Sequence, residues 1–143
     1  NAKRNMYWKK GEQNYAPVNV ASGIKAFGVL QMLLETQALD ESKILIWDEP
    51  ENHLHPEWQI KFASVLVELA KAGIPILISS HSPYFIQAVR YFADKLSMND
   101  FVNYYLAEET EDELCVLEDV TDDLNRIFMK LAQPMNEIVN LGL

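Results

Sequence analysis

Two short apolar runs separated by one helix-length segment limit what this chain can fold into. Lys43–Trp47 is a continuous apolar strand candidate, and Ile74–Ser80 is a second. Between them Pro56 opens a helix at its first position, where the missing N–H costs nothing. Trp58, Phe62, Val65, Leu66 and Leu69 recur at helical spacing as its buried stripe, and Gly73 ends it as a left-handed cap. After the second run, Ser82-Pro83 reads as an N-cap with proline behind it. The helix it opens runs to about Ala93, with Phe85, Val89 and Phe92 inward. Strand, helix, strand, helix with short loops is a βαβ crossover, which predicts two parallel strands and a right-handed connection. Continuous apolar strands of this kind are suited to burial on both faces of the sheet.

The remaining elements frame that unit. Residues Met6–Lys10 and Tyr15–Asn19 read as a hairpin around Gly11, and a helix over Ser22–Thr36 carries Ile24, Phe27, Leu30, Leu33 and Leu34. Phe101–Leu106 and Leu114–Glu118 read as an edge hairpin. Thr121 then caps a last helix bearing Leu124, Ile127, Phe128 and Leu131, which Pro134 is expected to stop. With 143 residues and no repeat or low-complexity linker, positions 1–143 fit a single domain.

Composition excludes several function classes. No apolar run approaches the roughly 20 residues needed to span a bilayer, so no membrane role is expected. The single Cys115 rules out an internal disulfide, fits a reducing compartment and is expected in the core; cytoplasm is the default location. The net charge of −9, with acid concentrated between Glu108 and Asp123, argues against autonomous nucleic-acid binding, which wants a basic face.

The chemistry lies at the ends of the two parallel strands. One finishes at Asp48-Glu49 and the other at Ser79-Ser80-His81-Ser82. In an open parallel sheet, ligands bind outside the carboxyl ends of the strands, so both clusters meet at one rim. An acidic pair at a strand end usually holds Mg²⁺ and activates water beside a nucleoside triphosphate. Asp48 is placed to hold the metal through water, Glu49 to orient and deprotonate the attacking water, and His81 to contact the γ-phosphate. The blander readings are a solvated strand-end pair, a structural histidine, and an ordinary N-cap at Ser22-Gly23. A zinc site at His53-x-His55 lacks a third ligand at a suggestive spacing.

These segments resemble a known family. Ile44–Glu49 looks like a Walker B strand with its catalytic glutamate, as in ABC-type ATPases. Glu51-Asn-His-Leu-His-Pro56 looks like the D-loop of RecF/SMC-like and OLD-like relatives. Ser79–Pro83 resembles the switch-histidine loop, and Val20-Ala21-Ser22-Gly23-Ile24-Lys25 resembles the signature motif. The resemblance implies an α/β fold of P-loop NTPase type: a parallel sheet flanked by helices, with a C-terminal β-hairpin and helix. It further implies a homodimer of heads with Mg²⁺ and ATP between them, in which Ser22, Gly23 and Lys25 reach the partner's nucleotide. The D-loop residues Asn52, His53 and His55 would face the partner head, although His55 can equally cap the Pro56 helix. ATP-driven dimerisation would then gate DNA or an associated nuclease, as in DNA-repair and anti-phage systems.

The sequence departs from the family pattern in three places. Ala21 replaces the usual signature serine, Ile24 replaces the usual Glu or Gln, and no G-x-x-x-x-G-K-[ST] loop is present. The chain is therefore expected to be the C-terminal part of a head, lacking the Walker A strand and loop, inactive alone and completed by the N-terminal remainder of the same ATPase. An apolar sheet edge and face left open in that way would make the isolated chain associate or aggregate. The alternatives are a degenerate interaction module without turnover, and an ABC transporter ATP-binding subunit.

Overall fold

A computed structural model describes residues 8–10, 13–15, 22–110, 112 and 114–140. The elements in chain order are β1 (Trp8–Lys10), β2 (Gln13–Tyr15), α1 (Ser22–Glu35), β3 (Leu45–Asp48), α2 (Pro56–Lys71), β4 (Ile76–Ser79), α3 (Pro83–Lys95), β5 (Tyr105–Glu109), β6 (Cys115–Asp119) and α4 (Asn125–Asn140). β1 and β2 pair antiparallel, so a hairpin forms, but its second strand covers Gln13–Tyr15 and meets the expected Tyr15–Asn19 only at Tyr15; positions 6–7, 11–12 and 16–19 lie outside the described residues. The result is a mixed α/β chain with a small parallel pair and two antiparallel hairpins.

β3 and β4 pair parallel, with Leu45 opposite Ile76 and Asp48 opposite Ser79. The expected start and stop signals around α2 and α3 hold. Pro56 stands in the first turn of α2, and the ring of His55 accepts the N–H of Glu57 as its N-cap. At the other end Gly73 adopts φ +92°, a conformation that costs a residue with a Cβ about 1 kcal/mol or more. Ser82 caps α3 by accepting the N–H of Phe85.

The core lies on one side of the parallel pair. Ala26 and Leu30 from α1, Leu45 from β3, Phe62, Ala63 and Leu66 from α2, and Phe85 and Ala88 from α3 form one cluster, with Trp47, Ile76 and Ile78 packed against it. Phe62 is its centre, fully buried and edge-on to both Phe27 and Trp47. A second cluster joins Ile86 of α3 to Val120, Leu124 and Ile127, tying the β5–β6 hairpin and α4 to the first unit.

Several expectations fail here. Burial of the strands on both faces does not hold in this chain, where Ile46 is 69% and Leu77 53% exposed, and the apolar face left open matches the one expected of an incomplete sheet. The alternation of a strand sends these two side chains opposite to Leu45 and Trp47, and α1, α2 and α3 all pack on the latter side. Trp58 and Val65 are exposed rather than part of the α2 stripe. The buried face is turned toward Ala63 and Val67, and Trp58 instead packs against Phe27 with the Lys61 ammonium above its ring.

Phe101 belongs to a short 3-10 turn, Asn99–Phe101, and the strand begins only at Tyr105. The polar Ser97-Met-Asn-Asp100 stretch supplies turn chemistry that outweighs the aromatic residue. Cys115 is exposed, on a β6 strand exposed along its whole length. Thr121 does not cap α4; its hydroxyl accepts the N–H of Tyr104 at 2.9 Å. Pro134 does not stop α4 either, since the helix continues to Asn140. A proline forfeits one backbone hydrogen bond but already has a helical φ, and Gln133 bridges across it to Glu137 at 3.1 Å. Among the described residues, no helix is long and apolar enough to cross a membrane.

Candidate functional site

The zero-offset pairing of β3 and β4 brings Asp48 beside Ser79, and the chain beyond each strand end is knit to the other. The hydroxyl of Ser79 donates to Asp48 Oδ1 and accepts the backbone N–H of Glu49 at 3.2 Å. Glu49 then turns through φ 44°, a left-handed conformation unusual for a side chain of this kind, and so leaves the strand direction. Its carboxylate reaches His81 Nδ1 at 2.8 Å through Oε1, while Oε2 accepts the side-chain amide of Asn52 at 3.4 Å.

The pair is open to solvent, with the His81 side chain 69% exposed and that of Glu49 36%. An exposed imidazole beside an exposed carboxylate is free to meet a ligand arriving at the rim.

Behind this front lies a second layer that sequence reasoning assigned no role. Glu51 is only 2% exposed, and its Oε1 accepts the hydroxyl of Ser80 at 2.5 Å. Ser80 Oγ in turn accepts the N–H of Ser82 at 3.1 Å, and Ser82 Oγ donates to Gln59 Oε1 at 2.5 Å. Gln59 completes the circuit by donating to the carbonyl of Leu54 at 3.0 Å. One signal for this layer was available in the sequence. Ser79, Ser80 and Ser82 are three hydroxyls around one histidine, and hydroxyls at a strand end need partners.

The other sequence candidates fall in two groups. His55 serves as the α2 cap, and His53 is exposed with φ 64° in the loop between β3 and α2. Ser22 and Gly23 begin α1. Lys25 is half-buried, and among the described residues no ion pair joins it to Asp48, Glu49 or His81. Ala21 lies outside the described residues. The structure thus gathers Asp48, Glu49, Asn52 and His81.

Comparison with known proteins bears on what the rim belongs to. The family described as "AAA domain, putative AbiEii toxin, Type IV TA system" matches residues 6–87, more than half of the chain. The chain belongs to this AAA-domain family. The matched region contains β3, α2, β4 and the site, and stops within α3. A stretch of 88 residues is 30% identical to protein MJ1542 of Methanocaldococcus jannaschii, covering 62% of this chain and 10% of that protein. A stretch of 86 residues is 29% identical to the energy-coupling factor transporter ATP-binding protein EcfA of Methanothermobacter thermautotrophicus, covering 60% of this chain and 25% of EcfA. The aligned stretches therefore span a tenth and a quarter of these two relatives.

An AAA-domain protein is expected to use Mg²⁺ and ATP, and the rim fits a hard cation in part. Asp48 is exposed and uses Oδ1 to accept from Ser79. Among the described residues, no group of three or more His, Cys, Asp or Glu side chains could hold a metal unaided. Mg²⁺ typically takes one or two carboxylates, with waters and substrate phosphates supplying its other ligands. Asp48 suits that role.

Proposed function

We propose that this AAA-domain chain is the C-terminal part of an ATP-hydrolysing head, with Asp48, Glu49 and His81 as its reacting rim. The observation that carries the reading is the 2.8 Å contact between Glu49 and His81 at the ends of two adjacent parallel strands. In this reading Asp48 holds Mg²⁺ through water, and the cation neutralises charge on the phosphates when it is bound. Glu49 orients the attacking water and accepts its proton. His81 donates toward the terminal phosphate, which competes with Glu49 for the imidazole, so that ligand arrival frees the carboxylate to act. Asn52 steadies the other carboxylate oxygen.

The phosphate loop would come from the N-terminal remainder of the same ATPase. The bare apolar face around Ile46 and Leu77 supports a covering element of that kind. Ser22, Gly23 and Lys25 would meet the nucleotide of a second head through the positive end of α1. Head dimerisation of that sort would gate DNA or an associated nuclease. The test is ATP turnover by the full-length protein, wild type beside Glu49→Gln, with dimerisation followed in the same samples. Lost turnover with an ATP-trapped dimer supports the reading. Negligible turnover in both, without ATP-dependent dimers, leaves a non-catalytic interaction module.

The similarity to EcfA favours a second reading, an ATP-binding subunit of a transporter. Co-purification with a membrane permease from native membranes would decide for it.

A further inference from the structure

Glu51 is a buried carboxylate that the proposed reaction does not use. It is 2% exposed, one oxygen accepts from Ser80, and the other has no hydrogen-bond partner among the described residues. Burying a carboxylate is costly unless it is fully paired, so a purely structural position would be served better by an apolar residue or a glutamine. The cost is understandable where the carboxylate sets the geometry of something else.

That something is the segment carrying His81. The imidazole is largely exposed and, among the described residues, hydrogen-bonds only Glu49, so its placement depends on its backbone. On one side the backbone is fixed by Ser79 in register with Asp48. On the other side it is fixed by a turn in which Ser80 Oγ reaches across His81 to accept the N–H of Ser82. A hydroxyl has one proton to give. With that proton committed to Glu51, the lone pairs of Ser80 Oγ are left for the Ser82 N–H. Glu51 lies two positions after Glu49 in the same loop. The second carboxylate of the loop therefore orients the histidine against the first.

We propose that Glu51 and Ser80 form a positioning pair that holds His81 in reach of Glu49. This rests on the reading of Glu49 and His81 as the reacting pair. Loss of Glu51 frees the Ser80 hydroxyl to rotate and loss of Ser80 removes it; either way the Ser82 N–H is left without a fixed acceptor, and His81 drifts from the carboxylate.

The test uses the full-length protein with Glu51→Met, Ser80→Ala, Ser80→Thr and the double variant Glu51→Met/Ser80→Ala, beside Glu49→Gln. The readouts are kcat and KM for ATP, the thermal midpoint, and the nuclear magnetic resonance signals of the His81 ring without nucleotide. Expected is a fall in kcat of about tenfold to a hundredfold in Glu51→Met and Ser80→Ala, with KM and midpoint nearly unchanged. Ser80→Thr, which keeps the hydroxyl, should restore kcat to within about threefold, and the double variant should be no worse than either single one. The His81 ring signals should move in Glu51→Met and Ser80→Ala alike.

An unchanged kcat in Ser80→Ala, a loss that simply follows the midpoint, or additive losses in the double variant would overturn the inference. If Glu51→Met fails to fold, the comparison of Ser80→Ala with Ser80→Thr decides alone. Full turnover in Glu49→Gln would sink the reading of Glu49 as the base instead. The positioning pair would then stand or fall on whether the His81 ring signals move.

Discussion

His81 Nδ1 lies 2.8 Å from Oε1 of Glu49, and the glutamate meets it from a backbone held at φ 44°. A residue with a Cβ in the left-handed region costs about 1–2 kcal/mol over the right-handed one, and such residues collect at functional sites. Glu49→Ala and Glu49→Gly both remove the carboxylate, and only the glycine removes the strain. Glu49→Gly is expected to be more stable than Glu49→Ala by about 1 kcal/mol, with neither variant hydrolysing ATP. Chemical denaturation of the two side by side measures the difference. Equal stability would mean that the turn at Glu49 stores no strain.

The bare face of the parallel pair gives a second expectation. Ile46 and Leu77 stand on neighbouring strands in the pairing register and both face away from the core. In the chain of residues 1–143 expressed alone, Ile46→Thr with Leu77→Thr should reduce self-association while leaving the unfolding midpoint within a few degrees. In the full-length protein the same pair should destabilise by about 2 kcal/mol or more, because a covered face loses apolar burial. Sedimentation and thermal melts read both. No effect in the full-length protein would mean that nothing covers this face.

Tyr104 offers a third. Its hydroxyl is buried without a hydrogen-bond partner among the described residues, and burial raises the pKa of the phenol above its ordinary value. Removing an unsatisfied buried hydroxyl relieves a desolvation penalty and leaves the ring in place against the second core cluster. Tyr104→Phe should be neutral or stabilising by up to about 1 kcal/mol. A clear loss of stability would reveal a partner for the hydroxyl.

The pH response near α1 can be worked out by sign. The Lys43 ammonium, 2.5 Å from Asp40, together with the Ser42 hydroxyl, lowers the pKa of the Asp40 carboxyl from its ordinary 3.8 to about 2. A carboxylate favoured in the folded state contributes stability above its unfolded pKa and loses it as pH falls through the folded value. The contribution of Asp40 should therefore fade between about pH 4 and pH 2, and be small because the pair is exposed. Lys43→Met should raise the Asp40 midpoint toward 3.8, which carboxyl-carbon titration by nuclear magnetic resonance detects directly.

Much of the site was legible in the sequence because its parts sit at the ends of strands whose apolar runs are unmistakable. Asp48-Glu49 and His81 could be placed at one rim from the crossover alone. Which oxygen meets which hydroxyl could not, because that depends on the left-handed turns at Glu49 and His53. No periodicity announces such turns when the residue is not glycine. Glu51 was hidden for the same reason: a loop glutamate reads as solvated until the turn folds it inward. A run such as Ile44-Leu-Ile-Trp47 is apolar on both sides, which shows that both faces want cover but not which face lies bare; the alternation in the structure puts Ile46 and Leu77 on the open one. Pro134 is a stop signal only by its local cost, and a helix can carry one proline inside it.

The parallel register has a consequence for how such a domain can change over time. Asp48 and Ser79 finish level with each other, so the two loops inherit one alignment. Inserting a single residue within either strand would carry its loop about 3.3 Å along the strand and turn every side chain to the opposite side. Length variation is therefore barred within these two strands. Drift in chain length among relatives should gather outside them, so that the spacing from Asp48 to His81 changes only through the α2 connection.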